Sequence, residues 1–390
     1  MVRANEIRDE NTLVAWLEAR PKDTRQRDVT VIAHRAAMRV LPIFVLDLGK
    51  HSVANQDLAA LPFLRTSLTS EVCMANMSID VENALSSAIF SLSSSTKAVS
   101  ALPALSAAIS AISTTAAAFF VSVTRSAAVL NSTRDDAAVI EAGNAPQFSP
   151  LWMHLETPGR YDQVDPPYQK GRVLDEFSSH WHKARTWLSD LSGYEFWIRW
   201  YESALYGRPL TDDWNSHFQL LTDIALIPNE DWQKGAVHVA RLIAAREERH
   251  RLLAQTRRLQ AELAPIASHV SSSRVGHNNP PEELTDIEAV QAVSIIWLTL
   301  NDAERELEKV KPSRQALRKI ARTLLNAAIA MARYCAKLTD KALQKAAEEV
   351  GSASAKWTIT LGGGTLIVKM MGLDDAIRTL AEAIARYAGG

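Results

Sequence analysis

The sequence predicts an all-α protein of several helical bundles with long amphipathic, coiled-coil-like helices, and three observations predict it. Apolar residues recur with a helical period along most of the chain. Proline and glycine, which interrupt helices, cluster instead of scattering. The longest uninterrupted stretch carries apolar residues at heptad spacing. At 390 residues the chain has room for two or three domains of roughly 150 residues each.

The punctuation sets the expected domains. Proline and glycine gather between Gly143 and Gly171 and again between Pro265 and Pro281. They divide the chain into an alanine- and serine-rich helical domain at 1–145, a connector at 146–171, a tryptophan-rich module with a long rod at 172–265, a flexible linker at 266–281 and a C-terminal helical domain at 282–390. In the first domain helices are expected from about 12 to 19 and from about 24 to 41, the second ending before Pro42. Small residues are frequent from Thr69 to Leu130, so helices there can approach closely.

In the middle module Ser192 and Glu195 have the spacing of a capping box. Gly207 and Pro209 supply the stop, and Phe196, Trp197, Trp200, Tyr201, Ala204 and Leu205 fall along one side between them. A second helix starts near Thr211, with Asp212 and Asp213 in its first turn where negative charge suits the dipole, and ends before Pro228. Asn229 reads as the next cap. From Glu230 to Ala264 nothing interrupts a rod of roughly 50 Å at about 1.5 Å per residue. Its heptad seam is Leu242, Ala245, Arg249, Leu252, Thr256, Leu259 and Leu263. Arg249 and Thr256 are polar, so an intramolecular hairpin stands beside a coiled-coil dimer, and Leu242, Ala245, Leu252, Leu259 and Leu263 are the candidate helix-interface residues. The mates are C-terminal helices from about 286 to 308 and from about 313 to 350, with Pro312 at the first helical position of the second.

Two stretches are unusual. Between Lys97 and Arg125 the chain carries no charge, which is long enough to cross a hydrocarbon core of about 30 Å. Its serines, threonines and alanines make a core helix the first reading and a membrane-inserting segment at 98–124 the second. From 351 to 373, two short β-favouring runs flank three glycines. A small glycine-containing hairpin and a helix loosened by glycine compete there. Just before it Arg333, Lys337, Lys341 and Lys345 recur every four residues, followed by Lys356. These five cations are the candidate site for an anionic partner.

The remaining chemistry is thin. Basic and acidic residues number 43 and 44, so net charge names no partner, and nucleic acid is disfavoured for want of a basic excess or a recognition motif. Cys73 and Cys335 are too far apart in sequence for a zinc motif or redox pair, which points to a reducing, cytoplasmic compartment. Glu247 with His250, and His180 with His182, fall short of metal-site spacing. There is no nucleophile elbow, phosphate loop or dinucleotide fingerprint, so neither a cofactor, a metal nor a catalytic residue is assigned.

The segments VAWLEARP and AHRAAMRVLP near the start, FWIRWYESALYG with IPNEDWQKGAVHV in the middle, and GHNNPPEEL at the second linker resemble a group of uncharacterised bacterial helical proteins. That resemblance implies a modular helical protein and brings no activity or residue role with it. The expected function is a non-enzymatic interaction or scaffold protein that binds a protein partner or itself through its amphipathic helices. The alternative is a membrane-associated or membrane-inserting effector using residues 98–124 and 333–373.

Overall fold

The computed structural model describes residues 3–51, 56–75, 78, 80–81, 83–88, 127–152, 170–272, 287–348, 359–361, 364–366 and 373–389. The uncharged stretch at 98–124 and residue Lys356 lie outside them. The described chain is all-α in class. One antiparallel hairpin is present, β1 (Ile359–Leu361) with β2 (Gly364–Leu366), Ile359 opposite Leu366 and Leu361 opposite Gly364. Of the two conformations open for 351–373, the described residues 359–361 and 364–366 take the strand pair.

The chain folds as two compact units, Met1–Arg246 and Glu247–Gly390. The division between them falls in neither of the proline and glycine clusters. Unit 1 contains α1 (Glu10–Glu18), α2 (Lys22–His51), α3 (Gln56–Ala75), α4 (Ala127–Glu141), α5 (Lys170–Ser189), α6 (Glu195–Tyr206) and α7 (Trp214–Ala225). Its N-terminal helices and its tryptophan-rich helices share one hydrophobic core, in which Leu64, Leu68 and Val72 join Trp197, Trp200 and Leu221. A shared interior joins in one compact unit what composition separates into two modules.

Helix α2 is the axis of unit 1 and packs against α3, α4 and α5. It continues through Pro42, where the sequence predicts a stop. A proline inside a helix forfeits one hydrogen bond and costs about 3 kcal/mol. Burial of Met38, Leu41 and Val45 on both sides of it offsets that cost. Pro62 lies inside α3 in the same way. Among the described residues α2 is the one helix long and apolar enough to cross a membrane, over Lys22–Leu46, and 72% of that window is buried inside the protein.

Helix α6 begins at Glu195 with the buried Tyr194 at its cap, and no side chain caps it. Ser192 is therefore not the capping residue. Gly193, at φ 92°, turns the chain against the backbone of Ala236 before the helix can start. The far end of α6 follows expectation: Gly207 is left-handed at φ 60°, and the Arg208 N–H reaches back to the Ser203 carbonyl at 3.0 Å. A Cβ on Gly207 would lie 2.4 Å from the Pro150 nitrogen and 2.7 Å from the Ser149 carbonyl carbon. Gly207→Ala should cost about 3 kcal/mol or more through backbone overlap. Gly143→Ala, equally left-handed but in open space, should cost only about 1 kcal/mol. Urea midpoints of the two variants decide this, and equal losses would refute the close-approach argument.

Asp213 caps α7 by accepting from the Ser216 N–H at 2.8 Å, so it stands before the first turn and not within it. The rod is interrupted where the sequence expects continuity. A single turn at Asn229–Trp232 ends, Gly235 adopts φ 88°, and α8 (Ala236–Ser272) starts afresh. It continues past Pro265, the expected end of the rod. The division between the two units falls inside α8.

Unit 2 comprises the second part of α8 with α9 (Ile287–Leu307), α10 (Arg314–Glu348), the hairpin and α11 (Leu373–Gly389). Helix α10 packs on both α9 and α11. Leu252, Leu263, Ile296, Leu300, Leu324 and Ile384 belong to the common core. Pro312 sits outside α10, since Ser313 caps it: the Ser313 hydroxyl accepts from the Ala316 N–H at 3.3 Å and its own N–H donates to Glu306 at 2.6 Å. Proline at that place ends the preceding turn without entering the helix.

Candidate functional site

Unit 1 holds a buried carboxylate that no local pattern announces. Glu71, on α3, is 5% exposed and accepts from Trp200 Nε1 on α6 at 2.6 Å and from His217 Nε2 on α7 at 3.2 Å. His34 on α2 brings its Nε2 to 4.0 Å from the same carboxylate. Four helices thus converge on one side chain.

The hydrogen bonds assign the protons. The Leu210 N–H donates to His217 Nδ1 at 3.0 Å, so the His217 proton is on Nε2 and points to Glu71. The Ser70 hydroxyl donates to the Ser67 carbonyl at 2.8 Å, leaving its oxygen to accept from His34 Nδ1 at 2.7 Å. Burial pushes His34 down to about 4 against the pull of Glu71, so its ring is neutral. Burial would raise Glu71, but the hydrogen bonds from His217 and Trp200 and the neighbouring imidazoles outweigh it and hold Glu71 below the usual carboxylate value. The result is an ionised Glu71 whose neighbours each commit a proton to a structural bond. Its chemistry is to fix the register of α2, α3, α6 and α7.

A second buried group holds the start of the connector. Arg35 Nε donates to Asp136 Oδ1 at 2.9 Å, while its other nitrogens reach the Pro146 and Pro150 carbonyls, each at 2.7 Å. Arg39, fully buried, lies 2.7 Å from Asp136 Oδ2 as an ion pair without hydrogen-bond alignment, and it donates to the Leu151 carbonyl at 2.8 Å. Its guanidinium also stands 5.5 Å from the Trp152 ring. Burial pushes Arg35 down to about 10, which leaves it charged at neutral pH. The first residues of the connector, Pro146 to Leu151, are pinned by arginines on α2 because this proline-containing backbone has carbonyls but few N–H groups with which to make its own ladder.

The residues singled out from sequence lie elsewhere. Along the α8 seam Leu252, Leu259 and Leu263 are buried in the core of unit 2, Leu242 packs half-buried on the core of unit 1, and Ala245 is exposed. The two polar seam positions are also buried: Arg249 donates to the Lys309 carbonyl at 2.7 Å and Thr256 to the Leu252 carbonyl at 2.8 Å. Arg257 pairs with Glu304 on α9 and with Glu308 just beyond its end, at 2.8 and 2.7 Å. These contacts lay α8 along α9 within the same unit.

Arg333 is exposed on α10, and Lys337, Lys341 and Lys345 continue that helix, their side chains outside the described set. The structure adds four cations that the stripe at 333–345 omitted: Arg314, Arg318, Lys319 and Arg322 are exposed on the same helix. Elsewhere in unit 2 most of the described cations are paired, as Arg251 with Glu248, Arg258 with Glu262, Arg305 with Asp302 and Arg378 with Asp375, while Lys311 and Arg386 are exposed without a carboxylate partner among the described residues. Among the described residues none of the α10 cations has a carboxylate within 4 Å. The signal in the sequence was the absence of acid from Lys311 to Lys337, which a search for four-residue spacing passes over.

Among the described residues no three of His, Cys, Asp and Glu come together as a metal cluster. No family model, curated protein or solved structure matches this chain.

Proposed function

We propose that this chain is a non-enzymatic helical interaction protein of the cytoplasm, and that it docks on an anionic partner through the exposed face of α10. The single observation that carries this is the contrast within unit 2: α10 presents Arg314, Arg318, Lys319, Arg322 and Arg333 without carboxylate partners among the described residues, while Arg251, Arg257 and Arg258 on α8, Arg305 on α9 and Arg378 on α11 are each paired with a carboxylate. A one-sign face of that kind attracts opposite charge and repels like charge, which is what a docking surface requires. The buried thiol Cys73, in no disulfide, agrees with a reducing compartment.

The test is retention of the full-length chain on immobilised heparin. The wild type is expected to bind at about 0.05 M salt, where screening is weak. A chain carrying Lys319→Gln, Arg322→Gln and Arg333→Gln is expected to elute earlier, and one with Lys183→Gln, Arg241→Gln and Arg258→Gln, the same loss of charge at other exposed positions, to elute later than the first. Co-elution of both variants would show that the α10 face is not the binding surface.

A further inference from the structure

The cationic face of α10 has features that select among anionic partners. From Lys311 to Lys337 the chain holds seven basic residues and no acidic one. The exposed cations between Arg314 and Arg333 extend over roughly 28 Å of helix at about 1.5 Å per residue. The opposite side of the helix buries Leu317, Ile320, Leu324 and Ala328 in the core of unit 2.

We propose that this face docks on an anionic phospholipid bilayer, held by attraction between headgroups and side chains and without insertion of the helix. The inference rests on reading the face as a docking surface and adds the chemistry of its partner. Lateral diffusion lets headgroups gather under cations of any spacing, and these are unevenly spaced, Arg322 and Arg333 being eleven positions apart. Among the described residues the exposed ones in that gap are Asn326, Ile329 and Ala330, which offer nucleic acid neither a cation for a phosphate nor an aromatic ring for a base. Ile329, 41% exposed, is an apolar side chain that the bilayer interface accommodates. Because the apolar side of α10 is committed to the protein core, nothing remains to drive insertion as an interfacial amphipathic helix does. The attraction is Coulombic and must fade with salt.

Flotation of the full-length chain with phosphatidylcholine vesicles, with and without about 30% phosphatidylserine, tests this. The wild type is expected to float with the anionic vesicles at about 0.05 M salt, to ignore the neutral ones, and to be released at about 0.5 M salt. Neutralising Lys319, Arg322 and Arg333 together should lower partitioning by about a hundredfold, on about fivefold per cation, with the helical circular dichroism unchanged. The Lys183, Arg241 and Arg258 variant should retain most of the binding. Binding to neutral vesicles, or binding that survives high salt, overturns the proposal, as does a triple α10 variant that floats like the wild type. A chain that ignores anionic vesicles yet is held by heparin through α10 also overturns it, and leaves the docking face with a polyanionic macromolecule as its partner. A chain that binds neither removes both readings.

Discussion

Asp136→Asn is expected to lower the thermal midpoint of unit 1 by about 10 °C. The carboxylate is fully buried between Arg35 and Arg39, which are 3% and 0% exposed. Removing one partner of a buried ion pair costs about 3–5 kcal/mol, because the remaining charge has neither water nor counter-charge. Here two guanidiniums are left. At about 2–4 °C per kcal/mol for a unit of this length, the loss is well outside error. Tryptophan fluorescence reads it selectively, since eight of the ten tryptophans lie in Met1–Arg246. An exposed pair sets the scale: Arg258→Ala, which loses the contact with Glu262, should cost about 0.3–0.5 kcal/mol. A midpoint for Asp136→Asn within about 2 °C of wild type would mean that Asp136 is not the counter-charge of the arginines.

Unit 1 should also lose about 3 kcal/mol of stability between pH 6.5 and pH 4 through His34 alone. Its folded value is depressed from 6.5 to about 4, so in that window the unfolded chain binds a proton that the buried ring refuses. Stability therefore rises with pH across the window, is fully present above 6.5, and is lost as pH falls toward 4. Glu71, held below its ordinary value of 4.5, adds a further loss of the same sign below that pH, since protonating it ends its role as acceptor for Trp200 and His217. Urea unfolding at pH 7, 5.5 and 4.5 measures the slope. His34→Gln should flatten it above pH 4.5 and leave the steeper loss below. An unchanged slope in that variant would assign the proton elsewhere.

Much of the helical architecture was legible because its signals are local. The aromatic stripe from Phe196 to Leu205 and the stop at Gly207 depend on residues within a few turns of each other, and α6 forms where they place it. Local rules failed where burial outweighed them. Pro42 did not end its helix, and Ser192 did not cap one because Gly193 and Tyr194 are tied to the core. The buried networks left no trace in the sequence. Glu71 and His217 are 146 positions apart, and Arg35 and Asp136 are 101 apart. Residue type at such separations carries no spacing to recognise.

What the sequence determined by itself is the all-α class, the amphipathic period of the long helices and the one-sign run of charge on α10, since each is a property of neighbours along the chain. Only the tertiary structure decided that the alanine-rich and tryptophan-rich segments share a core, that Glu71 and Asp136 lie at the centres of buried networks, and that the leucines from Leu252 onward are consumed within unit 2. The physical reason is that burial of charge and competition for apolar surface are settled by which helices meet, and that depends on the free energy of the whole packed unit and not on any window of sequence.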